Sequence, residues 1–159
     1  MYGQTIAIRE AVEADTVWIR PFLESRWGDA TMVVSDVRVD LMKVPALIAG
    51  NNEGLLTYRV VDDEVEILSL DAIVAQKGVG TALVTHLCDS FRELGSKAII
   101  VSTTNDNLDG LRFYQTRGFQ ITEVRCGAIG KARLIKASIP LTGAYGIPVS
   151  DEIKLRRPL

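Results

Sequence analysis

The segment VAQKGVGTALVTHL, residues 74–87, passes through two glycines, Gly78 and Gly80, straight into an apolar-periodic run. A helix N-terminus carries unpaired N–H groups and about half a positive charge, so it attracts anions. Helices often neutralise that end with an acid in the first turn. Here the first turn holds Val79, Thr81 and Ala82, the first acid is Asp89, and Lys77 stands beside the glycines. Without Cβ atoms the backbone leaves room for a phosphate to approach. On these residues alone the pair is either an anion cradle or ordinary loop punctuation. Two phosphate motifs are excluded. The pattern G-x-x-x-x-G-K-[ST] is absent, and G-x-G-x-x-G would need glycine at Leu83.

The elements that must position this turn follow from periodicity. QTIAIR, residues 4–9, alternates like a strand. EADTVWIRPFLESRWGD places Trp18, Ile19, Phe22 and Leu23 at helical spacing, with Pro21 expected to kink or interrupt the helix. TMVVS is short and β-like. From Ala46 to Ile73, three apolar runs separated by turns at 51–54 and 62–63 predict three antiparallel strands. Val79, Leu83, Leu87, Phe91 and Leu94 then form one helical stripe closed by Gly95. KAIIVST reads as a buried strand. NDNLDGLRFYQTRGF opens with capping residues and closes on Gly118, and FQITEVRC is a further strand. Beyond Gly127, AIGKARLIKA suggests a short helix and DEIKLR a last edge strand. The order β-α-β-β-β-α-β-α-β predicts an α+β (mixed α/β) fold, a mostly antiparallel mixed sheet flanked by helices. No repeat or linker divides the chain. We expect one domain over residues 1–159, with a core over about 4–126 and a C-terminal extension at 127–159.

Bulk properties exclude several classes. A net charge of −2 on 159 residues gives no basic footprint for nucleic acid. No apolar run approaches the roughly 20 residues that span a bilayer. MYGQTIAIREAVEADT lacks the basic region and apolar run of a signal peptide, so a cytoplasmic location is expected. Cys88 and Cys126 have no pairing motif and are expected to be reduced core thiols. His86 is the only histidine, which rules out a His-based triad or a multi-His metal site, and no metal is expected.

AQKGVGTAL followed by NDNLDGLRFYQTRGF resembles the acyl-CoA-binding core of the GNAT N-acetyltransferase superfamily. The resemblance covers residues 64–124 by motif and the rest of the chain up to there by element order. STTNDN and IPLTGAYGIPVSDEI are also similar to an uncharacterised bacterial branch of that superfamily. It implies that Leu70, Asp71 and Ala72 offer backbone groups to a pantetheine arm. The amides of Lys77, Gly78, Val79, Gly80 and Thr81 would wrap the pyrophosphate of acetyl-CoA, the implied cosubstrate. Asn107 would bond the pantetheine side, unless it merely caps its helix. Tyr114 would protonate the departing thiolate, unless it is only a core tyrosine. Three positions depart from the family pattern: Ala75 stands where Gln or Arg is usual, Gln76 where Gly is common, and Gly110 where Ala is frequent.

Acetyl transfer to an amine further requires a base. Glu64 and Glu66 lie two apart on the strand leading to the implied site, hence on one face, and Glu66 is the favoured candidate. Ser102 supplies no carboxylate where some relatives carry one. Arg26 and Trp27 are candidates for the acceptor pocket, Arg26 gripping a carboxylate and Trp27 forming an apolar wall. The expected activity is transfer of acetyl from acetyl-CoA to a primary amine of a small molecule or peptide. A non-catalytic acyl-CoA-binding or regulatory module is the alternative. The extension would either cover the acceptor site or build a homodimer.

Overall fold

In the computed structural model, residues 5–74 and 77–159 are described. Ala75 and Gln76, two of the departures noted above, lie outside them. Strands β1 (Ile8–Glu10), β4 (Ala46–Ala49), β5 (Gly54–Val61), β6 (Glu64–Ala72), β7 (Ala98–Thr104), β8 (Gln120–Arg125) and β9 (Glu152–Pro158) form one sheet. Their spatial order is β1-β4-β5-β6-β7-β9-β8. Helix α2 (Val79–Glu93) joins β6 to β7, the one parallel pair of this sheet, and all other neighbours are antiparallel. The fold is the mixed α+β arrangement that the sequence implies.

Each face of the sheet carries its own apolar layer. On one face, Ile19 and Leu23 of α1 (Thr16–Trp27) pack with Ile48, Leu55 and Leu68. On the other, Leu83 and Leu87 of α2 and Tyr114 of α3 (Leu108–Gln115) pack with Val65, Ile67, Ile99 and Val101. Gly54 brings the start of α2 down onto the sheet. A Cβ there would lie 2.4 Å from Val79 Cγ1.

Three expectations are corrected, and the β-like reading of TMVVS gains a partner strand. Helix α1 runs through Pro21 without interruption. The missing N–H orphans only the carbonyl of Val17, an exposed residue whose oxygen solvent can satisfy. TMVVS is half of a hairpin, β2 (Thr31–Val34) paired with β3 (Val37–Asp40). Its turn residues Ser35 and Asp36 both take positive φ without the usual glycine signal. The C-terminal strand β9 is not an edge, because it inserts between β7 and β8. Finally, Cys126 is exposed, and only Cys88 is a core thiol.

Candidate active site

A cleft opens in the middle of the sheet. β6 and β7 pair from Glu64↔Ala98 to Ile67↔Val101 and no further, although β6 continues to Ala72 and β7 to Thr104. Beyond Val101, β7 keeps its ladder with β9 alone, as far as Thr104↔Glu152. The facing edges of residues 68–72 and 102–104 are therefore free to hydrogen-bond a ligand. A cavity of about 620 Å³ fills the gap, with residues from both faces of the sheet in its wall.

A bulge decides which side chains face which layer. Thr57 pairs with Ser69 and Tyr58 with Ile67, so Leu68 is an extra residue in β6. One inserted residue reverses the alternation of everything after it. Asp71 consequently stands opposite Leu55, a residue of the α1 layer, and Leu70 opposite Leu56, a residue of the α2 layer. Residues directly opposite share a face. Trp27 at the end of α1 confirms the assignment, its Nε1–H donating to Asp71 Oδ2 at 3.1 Å. Burial pushes the Asp71 carboxyl up, against the opposing effects of the Trp27 hydrogen bond and the Arg26 charge.

The α1 side of the cavity is completed by the chain beyond Gly127. Helix α4 (Ala128–Ile135) ends at Lys136, a buried lysine whose Nζ donates to the carbonyls of Trp27 at 2.8 Å and Thr31 at 2.7 Å. Asp29 lies 3.1 Å from the same ammonium. Ser138, Ile139, Pro140 and Val149 line the wall. The loop is held by residues of STTNDN. Asn105 accepts from the amides of Ser150 and Asp151, both at 3.0 Å, and donates to the Pro148 carbonyl at 3.0 Å. Asp106 accepts from the Thr104 hydroxyl and from Ala144 N at 2.9 Å. The extension thus forms part of the cavity wall.

The α2 side holds the residues expected to meet the cosubstrate. Tyr114 is 6 % exposed and lines the cavity. Burial, and secondarily the nearby Asp71 charge, push its phenol well above the ordinary tyrosine value. Asn107 also lines the cavity, caps α3 through Gly110 N at 3.0 Å, and donates to Thr103 Oγ1 at 2.8 Å. Capping therefore accounts for part of its role and leaves one N–H and one lone pair uncommitted. It also explains Gly110, where a Cβ would lie 2.2 Å from Asn107 Nδ2.

Gly78 caps α2 in the left-handed region (φ 76°), with no side-chain cap and no acid in the first turn. A Cβ at Gly78 would meet no atom of the described residues within 4 Å. Gly80 has a different reason, since its Cβ would press on the Phe113 ring at 3.4 Å. Arg117 lies in the turn after α3. Its guanidinium stacks 3.7 Å from the Phe113 ring centroid and donates twice to Thr81 Oγ1, bringing a cation to the helix start. The FYQTRGF segment carried that signal, a basic residue one turn beyond an aromatic.

Glu64 and Glu66 are not brought to the cavity. Glu66 is buried against Arg59, 2.7 Å away on β5. Glu64 is bound by Arg156 of β9 at 2.7 Å. Arg26 and Trp27 do line the cavity, with Arg26 reaching the Ala72 carbonyl at 3.4 Å. Lys77 is exposed at the rim of α2.

An open helix start, a glycine turn and a splayed parallel strand pair define a class. Residues 19–119 match the Acetyltransferase (GNAT) family, and the chain belongs to it. Protein YxbD of Bacillus subtilis (strain 168), itself uncharacterised, is 36% identical over 145 residues, covering 89% of this chain and 91% of that protein. Two solved structures share the fold at low identity. The IAA acetyltransferase from Bacillus cereus ATCC 14579 matches with TM-score 0.69 and 18% identity over 97% of this chain and 99% of that one. A GNAT family acetyltransferase from Elizabethkingia anophelis, with acetyl-CoA bound, matches with TM-score 0.67 and 20% identity over 98% and 99%. No helix among the described residues is long and apolar enough to cross a membrane.

Proposed function

We propose that the protein is an acetyl-CoA-dependent N-acetyltransferase whose acceptor is a primary amine of a small molecule or peptide. The observation that carries this reading is the cavity passing between β6 and β7, with Tyr114 on one side of the sheet and Asp71 with Trp27 on the other. A ternary complex needs such a passage, because the thioester and the amine must reach one point from different directions. The cosubstrate supplies an activated acetyl group. The chain's own groups do the rest. Free amides of the β6 edge orient the pantetheine arm and face the carbonyl oxygen, where charge develops. The amides of Val79, Gly80 and Thr81, with Lys77 and Arg117 beside them, suit the pyrophosphate. Tyr114 stays a neutral phenol and so holds a proton for the leaving thiolate. Ser138, Ile139, Pro140 and Val149 of the extension would form the acceptor wall.

Calorimetric titration with acetyl-CoA, followed by a panel of amines, amino acids and peptides with free-thiol readout, tests the reading. Binding with amine-dependent thiol release supports it, and absence of binding at millimolar acetyl-CoA refutes it. A non-catalytic acyl-CoA-binding module is favoured by one observation, the engagement of Glu64 and Glu66 by arginines away from the cavity. Turnover that is lost in Tyr114→Phe while binding persists eliminates that alternative.

A further inference from the structure

We propose that Asp71 is the general base of the transfer, taking the acceptor's proton on the α1 side of the sheet while Tyr114 serves the leaving sulfur from the opposite side. The inference rests on the acetyltransferase reading above and assigns a side chain that the family resemblance used only for its backbone.

Three carboxylates line the cavity, and they differ in what holds them. Glu152 is bound by Arg125 at 3.0 Å and by the amide of Ser35 at 3.3 Å. Asp106 has both oxygens engaged, one by the Thr104 hydroxyl and one by Ala144 N. Among the described residues Asp71 accepts a single hydrogen bond, from Trp27 onto Oδ2, and none of them engages Oδ1. The groups facing it are Arg26 and Trp27 from α1 and Tyr114 from α3, with apolar Leu55 opposite on β5. The bulge at Leu68 puts this carboxyl on the acceptor side. In a strand without that bulge it would lie in the α2 layer.

The chemistry places the two groups correctly. As the amine nitrogen bonds to the thioester carbonyl carbon, its remaining N–H becomes acidic, and Asp71 Oδ1 takes that proton. The carbon–sulfur bond then breaks, its electron pair leaving on sulfur, and the Tyr114 hydroxyl protonates the thiolate. Starting from the ammonium form, the nitrogen loses two protons. One is balanced by the proton that the thiol carries away, and the other leaves to solvent as Asp71 and Tyr114 return to their starting states. Burial that raises the carboxyl strengthens it as a base near neutral pH.

Asp71→Asn keeps the shape and can still accept from Trp27. The expected result is acetyl-CoA affinity within about twofold of wild type and amine-dependent thiol release slowed by about 10²-fold or more. The acidic limb of log kcat/KM against pH should disappear, and Asp71→Glu should restore part of the rate. A wild-type rate with an unchanged acidic limb in the Asn variant overturns the proposal. Loss of acetyl-CoA binding in that variant overturns it too, by assigning the side chain to the cosubstrate. If wild type acetylates no amine in the panel, the functional reading fails separately. The base assignment is then decided on protein carrying 13C-carboxyl aspartate. The resonance missing from Asp71→Asn must titrate above the ordinary aspartate range of about 3.9, and titration at or below it overturns the assignment.

Discussion

Arg117 donates to the Thr81 hydroxyl from Nε at 3.0 Å and from Nη2 at 2.7 Å, tying the turn after α3 to the first turn of α2. Its third donor, Nη1, reaches the Phe113 carbonyl at 2.9 Å. A cation thus stands beside a helix start that has no acid of its own. Arg117→Leu is expected to weaken acetyl-CoA binding by about tenfold, the scale of one charge-assisted hydrogen bond. Calorimetry at two salt concentrations checks it. The wild-type advantage should shrink at high salt, as an exposed anion contact requires. Equal affinity of the variant at low salt would show that Arg117 only braces the two helices.

Tyr114→Phe should lower kcat by about 10²-fold, the usual scale for a lost proton donor, with acetyl-CoA affinity nearly unchanged. The raised phenol also has a consequence for stability. Its folded-state pKa lies above the unfolded value near 10. The folded state therefore holds the proton more tightly, and the stability tied to the neutral phenol is complete below about pH 10 and lost as pH rises further. Urea midpoints measured from pH 8 to 11 should fall more steeply for wild type than for Tyr114→Phe.

Replacing Gly110 by alanine ordinarily stabilises a helix interior by about 1 kcal/mol. Here the new Cβ would lie 2.2 Å from Asn107 Nδ2 and 2.9 Å from Oδ1, so the side chain that caps α3 must move away. Loss of a cap costs about 0.5–2 kcal/mol, and the bond to Thr103 is lost with it. Gly110→Ala should therefore destabilise the protein by about 1 kcal/mol in urea denaturation. In an Asn107→Ala background the same change should become stabilising. Additive effects in that double-mutant cycle would contradict the contact.

The α2 side of the cavity was legible because its signals are local. Gly78 before an acid-free first turn, Gly95 and Gly118 at positive φ, and Asn107 at a cap all lie within a few residues of what they control. The α1 side was not legible, because its determinants are long-range. Arg59 and Arg156 hold Glu66 and Glu64 in ion pairs away from the cavity, and the second lies 92 residues from its partner. The side that Asp71 faces depends on the bulge at Leu68, which no glycine or proline marks. The insertion of β9 between β7 and β8 is a choice of sheet neighbour, and alternation in DEIKLR is the same at an edge or inside.

Asn105 shows how the extension is coupled to the site. Its amide satisfies two backbone N–H groups and one carbonyl between Pro148 and Asp151, while Ser138, Pro140 and Val149 line the cavity. Asn105→Ala leaves those groups to find other partners, at a cost of about 2 kcal/mol. For a chain of this size that lowers Tm by about 4–8 °C. The wall should loosen without disturbing the α2 side, whose contacts come from residues 77–81 and 114–117. Acceptor KM is therefore expected to rise several-fold while acetyl-CoA affinity stays at the wild-type value. A fall in Tm with unchanged acceptor KM would mean that the extension supports the fold but does not shape the pocket.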